Sequence, residues 1–267
     1  MTLQGREFEE WKEQFIADRL MELLRQCYQG EFTNLSLPTA AFFGPDNEIR
    51  PNYFGSGFKM DDTDIYRAFL NTMHEFVTNG WPGGDKFGAL RDMSIQYAII
   101  RYFRNITPTE EERNRREARI HSNADAVSIR DTKREGVCSE RAAVAHNLLC
   151  FSDVENYFYV AILSRQGHTE DDVHALIVLK NSKGDYPIYD PSNPQVLEAD
   201  NGSVMSFIPA IFPGGDKLLS GEKAEVEHRR FKDGESPQIL ESTKYTYIPN
   251  PIINYNEIIR PGSGARE

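Results

Sequence analysis

Residues 136–143 have the sequence Gly136-Val137-Cys138-Ser139-Glu140-Arg141-Ala142-Ala143 and lead into an apolar run. Good helix formers follow the cysteine, so the segment predicts a helix over 139–150 with Cys138 at its start. The unpaired N–H groups and partial positive charge of a helix start lower the pKa of a thiol and stabilise an oxyanion. Gly136 is expected to leave room for a substrate backbone near the sulfur. Cys138 is therefore a candidate nucleophile.

Two further candidates, His174 and Asp190, lie on successive predicted strands separated by a turn at 181–184. Folding the strands about this turn places residue 174 opposite residue 190. Opposed side chains on one sheet face lie about 4.5–5.5 Å apart at Cβ. Asp190 would then hold one nitrogen of His174 and leave the other for the thiol. The pattern predicts a catalytic triad of Cys138, His174 and Asp190.

Each of these residues alone has a plainer interpretation. A lone Cys is more often a small buried hydrophobe, a strand His a satisfied polar residue, and an Asp before Pro a turn former. Their order and their predicted elements together favour the triad. His146 is eight residues after Cys138, about 12 Å along a helix axis, which is too far for proton transfer. The sequence has no His-Glu-x-x-His or paired Cys-x-x-Cys, so no metal site is predicted.

Composition limits the class of protein. The chain has 267 residues, 39% apolar and 27% charged, which is typical of a folded protein of one large or two small domains. A net charge of -11 argues against non-specific nucleic-acid binding. Three cysteines, Cys27, Cys138 and Cys150, do not suggest a disulfide framework and favour the cytoplasm or another reducing compartment.

Targeting and membrane signals are weak. The first residues lack the apolar core of a secretory signal, and no apolar stretch is long enough to span a bilayer. Non-classical secretion, as of an effector, does not use such a signal and is not excluded by its absence. The oligomeric state is not predicted.

Helices in the first half and strands in the second indicate an α+β fold. Hydrophobic periodicity predicts helices over 3–28, from Asp61–Asp64 through about Val77, and over 89–104. A further helix is predicted to start at Thr107–Glu110, and turn residues predict a long loop over 31–60. Strands are predicted over 157–163, 173–180, 185–190, 224–231 and 243–248.

We divide the chain into three regions on this basis. Residues 1–120 form a predicted helical region that caps the core or binds a partner. Residues 121–259 form the predicted catalytic core, and 260–267 a predicted disordered tail.

Three motifs resemble those of the transglutaminase-like superfamily, a branch of the papain-like thiol enzymes: Gly136-Val137-Cys138, His174-Ala175 and Asp190-Pro191. The resemblance covers roughly residues 130–195. It implies a papain-like core, in which a helix carrying the Cys packs on an antiparallel sheet carrying the His and the Asp. The short spacing is closer to compact bacterial members than to the large animal enzymes.

The resemblance also implies a chemistry. It implies no cofactor, and acyl transfer through a thioester, in which an amide is attacked and water or an amine captures the acyl group. Some toxin-type deamidases carry a Gln shortly after the Asp as an oxyanion donor, which makes Gln195 the oxyanion candidate here. Upstream of Cys138 no clear Gln or Trp occupies the usual oxyanion-donor position.

The first functional hypothesis is a thiol amidohydrolase or acyltransferase acting on protein glutamine side chains, as a deamidase or a transglutaminase. A cysteine peptidase acting on a protein or peptide backbone would use the same three residues. An arylamine N-acetyltransferase also uses Cys, His and Asp, but the Asp-Pro-Ser-Asn-Pro stretch and the central position of Cys138 fit it poorly. A catalytically inactive papain-like binding module is the alternative from a different class.

Overall fold

The fold is known from a computed structural model. Three features of the sequence analysis lie outside the residues that it describes, namely the predicted helix over 3–28, Cys27 and the tail 260–267. The structure describes residues 34–35, 42–43, 49–50, 58–59, 62–78, 87–103, 109–112, 114–115, 118, 127–132 and 136–250 without 153, 170–171, 182 and 235–236.

Short strands occur in the predicted loop 31–60. They are β1 (Asn34–Leu35), β2 (Phe42–Phe43), β3 (Ile49–Arg50) and β4 (Phe58–Lys59). β1 pairs antiparallel with β4, and β2 with β3. β4 also pairs in parallel with β5 (Val127–Ser128), which ties this segment to the chain before Cys138.

Three long helices form one side of the core: α1 (Thr63–Thr78), α2 (Phe87–Phe103) and α3 (Cys138–Phe151). They confirm the predicted helices to within about two residues at most ends. The Asp62 carboxylate accepts the N–H of Asp64 at 3.0 Å and caps α1. The helix start predicted at Thr107–Glu110 is capped by Thr109, whose hydroxyl oxygen accepts the N–H of Glu112 at 3.3 Å.

All five predicted strands are present, and a sixth strand joins them in one sheet of six strands. They are β6 (Asn156–Arg165), β7 (Asp172–Leu179), β8 (Ile188–Glu198), β9 (Val204–Phe212), β10 (Ala224–Lys232) and β11 (Gln238–Pro249). The strand order is β10-β11-β6-β7-β8-β9, with antiparallel neighbours. β9 and the short helix α4 (Gly215–Leu219) were not predicted. The chain is therefore α+β.

The sheet closes on itself. β10, at one edge, also pairs in parallel with β8, where Arg230 lies across from Val196. Strands β8, β7, β6, β11 and β10 thus form a barrel, and β9 lies outside it as the edge strand. β8 continues past its predicted end because the pairing with β9 is interrupted between Asp190 and Gln195 and then resumes.

The two faces of the sheet pack into different clusters. Ala175 and Ile177 of β7 pack with α1, α2 and α3 in one apolar cluster. Leu176 and Val178, which alternate with them, belong to a second cluster together with Ile188 of β8. α3 lies between the first two helices and the sheet, so residues 139–149 are all buried. None of the described helices is long and apolar enough to cross a membrane.

Gly136 lies just before α3 and packs against the end of α2. A Cβ at this position would lie 2.3 Å from Cε1 of the Phe103 ring. The prediction that Gly136 leaves room for a substrate is therefore wrong, because Phe103 already fills that space. The glycine fixes how closely the end of α2 approaches Cys138.

Gly136→Ala is expected to lower the free energy of unfolding by about 1–3 kcal/mol, since the added methyl group overpacks the Phe103 ring. Chemical denaturation measures this change. Gly88→Ala is the matched control, because a Cβ there would meet its nearest neighbour, Arg91, at 3.9 Å. An equal loss of stability in both variants would contradict the proposed packing.

Candidate active site

His174 and Asp190 meet in a hydrogen bond between β7 and β8. Nε2 of His174 donates to Oδ2 of Asp190 at 2.8 Å. Asp190 is fully buried, and His174 is 6% exposed. The other ring nitrogen of His174, Nδ1, is left for the thiol.

The register of these strands differs from the predicted one. Ile177 pairs with Tyr189, which places Leu176, and not His174, across from Asp190. The prediction is wrong by two residues because the connection is centred on residue 183, where the Asn181 side chain accepts the N–H groups of Lys183 and Asp185. Two residues is the period of a strand, so both side chains stay on one face and meet diagonally.

The Asp190 carboxylate accepts five hydrogen bonds. Oδ2 accepts from His174, from the Tyr247 hydroxyl at 2.6 Å and from Nδ2 of Asn193 at 2.8 Å. Oδ1 accepts the N–H groups of Ser192 at 3.0 Å and Asn193 at 3.2 Å. Burial raises the pKa of Asp190, but the charge of His174 and these hydrogen bonds outweigh it and hold the pKa well below its ordinary value. Asp190 is therefore ionised.

Cys138 is the first residue of α3 and is half-buried, and its thiol lies beside the His174 ring. Burial raises the pKa of the thiol, but hydrogen bonding to His174, the charge of that ring and the N–H of Ala175 outweigh it, and the pKa falls below its ordinary value. Burial lowers the pKa of His174, but the charge of Asp190 raises it well above its ordinary value. These opposite shifts favour a thiolate–imidazolium pair.

The start of α3 is held by Glu140. Its Oε2 accepts the N–H of Val137 at 3.1 Å and the Ser139 hydroxyl at 2.8 Å, the back-bonding half of a capping box. The first intrahelical bond joins the N–H of Arg141 to the Val137 carbonyl. The N–H groups before it lie at the open end of the helix, where an oxyanion would be stabilised.

Gln195, the predicted oxyanion donor, lies in β8 opposite Ile208 and is half-buried. Among the described residues, no hydrogen bond links it to the triad. Two residues that the sequence analysis did not assign bind Asp190 instead, namely Asn193 and Tyr247. Asn193 follows Asp190 by three residues in the sequence Asp-Pro-Ser-Asn, whose turn-forming residue types are a signal that could have identified it. Tyr247 lies on β11, and its ring stacks on that of His174 with centroids 6.1 Å apart.

A second group of polar residues lies at the other end of α3. Nδ1 of His146 lies 2.6 Å from Oδ1 of Asn156, and Sγ of Cys150 lies 3.8 Å from Nε2 of His146. Burial lowers the pKa of His146 to about 4 and raises the pKa of Cys150. Cys150 is therefore a neutral thiol, and among the described residues no cation lies beside it as His174 lies beside Cys138.

Comparisons with models of protein families, with curated proteins and with solved structures found no match to this chain. In the part of the chain that the structure describes, no group of three or more His, Cys, Asp or Glu side chains is placed to hold a metal ion. The interpretation of the site therefore rests on its own geometry.

Cys138 is expected to react with iodoacetamide at about pH 6.5, below the ordinary thiol pKa of about 8.5, and at least tenfold faster than Cys150. Peptide mapping by mass spectrometry gives the rate at each cysteine.

Asp190→Asn removes the charge that stabilises the His174 imidazolium, so the midpoint of Cys138 alkylation is expected to move to higher pH. Asp185→Asn, at an exposed carboxylate in the β7–β8 connection, is the control and leaves the midpoint unchanged. Equal and slow alkylation of Cys138 and Cys150 in the wild type would argue against an activated thiol.

Proposed function

We propose that this chain is a thiol enzyme that transfers an acyl group from an amide through a thioester on Cys138. The observation that carries the proposal is the 2.8 Å hydrogen bond from His174 to Asp190 beside the Cys138 thiol. The opposite pKa shifts of Cys138 and His174 support it. Perturbed groups of this kind cluster at functional sites.

The proposed reaction has two halves. The thiolate attacks the amide carbonyl, a C–S bond forms, and the carbonyl electron pair moves to oxygen, where N–H groups at the start of α3 stabilise it. His174 then gives its proton to the leaving nitrogen as the C–N bond breaks, and a thioester remains. In the second half His174 takes a proton from water or an amine, which attacks the thioester and releases the thiolate. Asp190 orients His174 and stabilises its charged form.

The proposed substrate is a glutamine side chain of a protein, with deamidation slightly ahead of cross-linking. This assignment comes from the resemblance to the transglutaminase-like superfamily. The packing of α3, which carries Cys138, on the antiparallel strands that carry His174 and Asp190 supports a papain-like core. A peptidase would use the same residues on a backbone amide, so the products must separate the two activities.

Cys138→Ala is expected to abolish amide turnover, by about a thousandfold or more, while the thermal unfolding of the protein stays unchanged. Candidate proteins and glutamine peptides are incubated with both forms, and mass spectrometry detects conversion of glutamine to glutamate, amine adducts or new N-termini. Cys150→Ala is the matched control and keeps full activity. New N-termini would assign a peptidase, and no turnover of any amide in the wild type would favour an inactive binding module.

The rate of turnover is expected to have a bell-shaped dependence on pH. It rises as Cys138 loses its proton, which occurs below the ordinary pKa of a thiol, and it falls as the His174 imidazolium loses its proton, above the ordinary pKa of an imidazole. Initial rates over a pH series measure both limbs. A single rise near the ordinary thiol pKa, with no plateau below it, would contradict the ion pair.

A further inference from the structure

Arg141 is a buried cation in the first turn of α3. Its side chain is only 8% exposed, and its Nε is buried without a hydrogen-bond partner. Among the described residues no carboxylate forms an ion pair with it. A guanidinium stays charged in proteins, and a buried charge without a partner is unfavourable. The fold therefore keeps a costly group at this position.

The position of Arg141 is beside the nucleophile. It follows Cys138 by three residues on α3, so the two side chains are neighbours on one face of the helix. The guanidinium lies over the Phe103 ring, 5.9 Å from its centroid. Phe103 in turn packs against Gly136, two residues before Cys138. The cation is thus confined between an aromatic ring and the start of the helix.

The negative charges around Arg141 are already engaged. Cys138, Glu140 and Asp190 are the groups whose charges favour its protonated form. Glu140 accepts hydrogen bonds from Val137 and Ser139, and Asp190 accepts its five. The thiolate of Cys138 is consumed when the thioester forms. A guanidinium with free donors beside a reacting sulfur is suited to bind an anion of the substrate.

We infer that Arg141 is an anion subsite beside Cys138, so that the substrate carries a carboxylate or similar anionic group a few atoms from the carbonyl that the thiol attacks. The inference rests on the proposed function and narrows its substrate class. A glutamine next to an acidic side chain has this chemistry, and so does a glutamine at a carboxyl terminus. Arg141 contributes binding and orientation of the amide, in addition to the role of the triad.

Two alkylating reagents of nearly equal size test the subsite without a known substrate. Iodoacetate is an anion and iodoacetamide is neutral, and in both reactions the thiolate forms a C–S bond while iodide leaves with the C–I electron pair. The ratio of the iodoacetate rate to the iodoacetamide rate is expected to be about tenfold higher at Cys138 than at Cys150 in the same wild-type molecule.

Variants of Arg141 locate the effect. Arg141→Met is expected to bring the ratio at Cys138 down to that at Cys150, and Arg141→Lys to retain part of it. Arg67→Met, at an exposed position of α1, changes the net charge equally and leaves the ratio unchanged. Thermal unfolding checks that each variant is folded, and the wild-type comparison needs no variant.

Four outcomes overturn the subsite. The first is equal ratios at Cys138 and Cys150 in the wild type, and the second is a ratio at Cys138 that Arg141→Met does not change. The third is a ratio that Arg67→Met lowers as much as Arg141→Met does. The fourth is an equal slowing of both reagents in Arg141→Met, which would mean that Arg141 acts on the thiolate alone. The proposed function fails separately, when Cys138 is no more reactive than Cys150 towards iodoacetamide, and the inference then fails with it.

Peptide substrates distinguish the two sources of the anion. Glutamine peptides with a neighbouring Glu or Gln are compared, each with a free or an amidated carboxyl terminus. A preference of about tenfold or more in kcat/KM that follows either carboxylate and disappears in Arg141→Met supports the subsite. Equal turnover of all four peptides overturns it.

Discussion

The buried carboxylate of Asp190 is the group around which this protein is organised. A charge in the interior of a protein is unfavourable unless donors surround it. Here the donors come from β7, from the part of β8 where its pairing with β9 is interrupted, and from β11, which is not a neighbour of β8 in the sheet. Tyr247 reaches Asp190 only because the sheet closes into a barrel. The same carboxylate therefore orients His174 and binds Tyr247 across the closed barrel.

The helices of the first half take part in the same framework. Gln96 of α2 is fully buried, donates to the Pro191 carbonyl at 3.2 Å and accepts from the Tyr189 hydroxyl at 3.0 Å. It therefore fixes β8 on both sides of Asp190. α3, buried on all sides, sets the position of Cys138 relative to His174, and Glu140 holds its first turn. Residues of α1 and α2 are part of the support of the site.

Local periodicity was sufficient to predict α1, α2, α3 and the strands that carry His174 and Asp190. His174 and Asp190 meet as predicted because a register error of two residues leaves a side chain on the same face. β9 was not predicted, and its Pro209 is tolerated because β9 is an edge strand. Tyr247 could not be predicted from local pattern, since it is 57 residues from Asp190 along the chain and meets it through closure of the barrel. The same holds for Phe103 and Gly136, whose contact joins two helices.

The group of Cys150, His146 and Asn156 shows what residue identity alone leaves undetermined. Both ends of α3 bring a sulfur close to an imidazole, and at both ends an oxygen atom holds that ring. An amide oxygen carries no full charge, whereas a carboxylate does, so the ring at the far end stays neutral and the sulfur keeps its proton. A template that matched only atom types and spacings would select both places. Nearly the same trio therefore lies at each end of one helix, and the charge of Asp190 is the difference between the two.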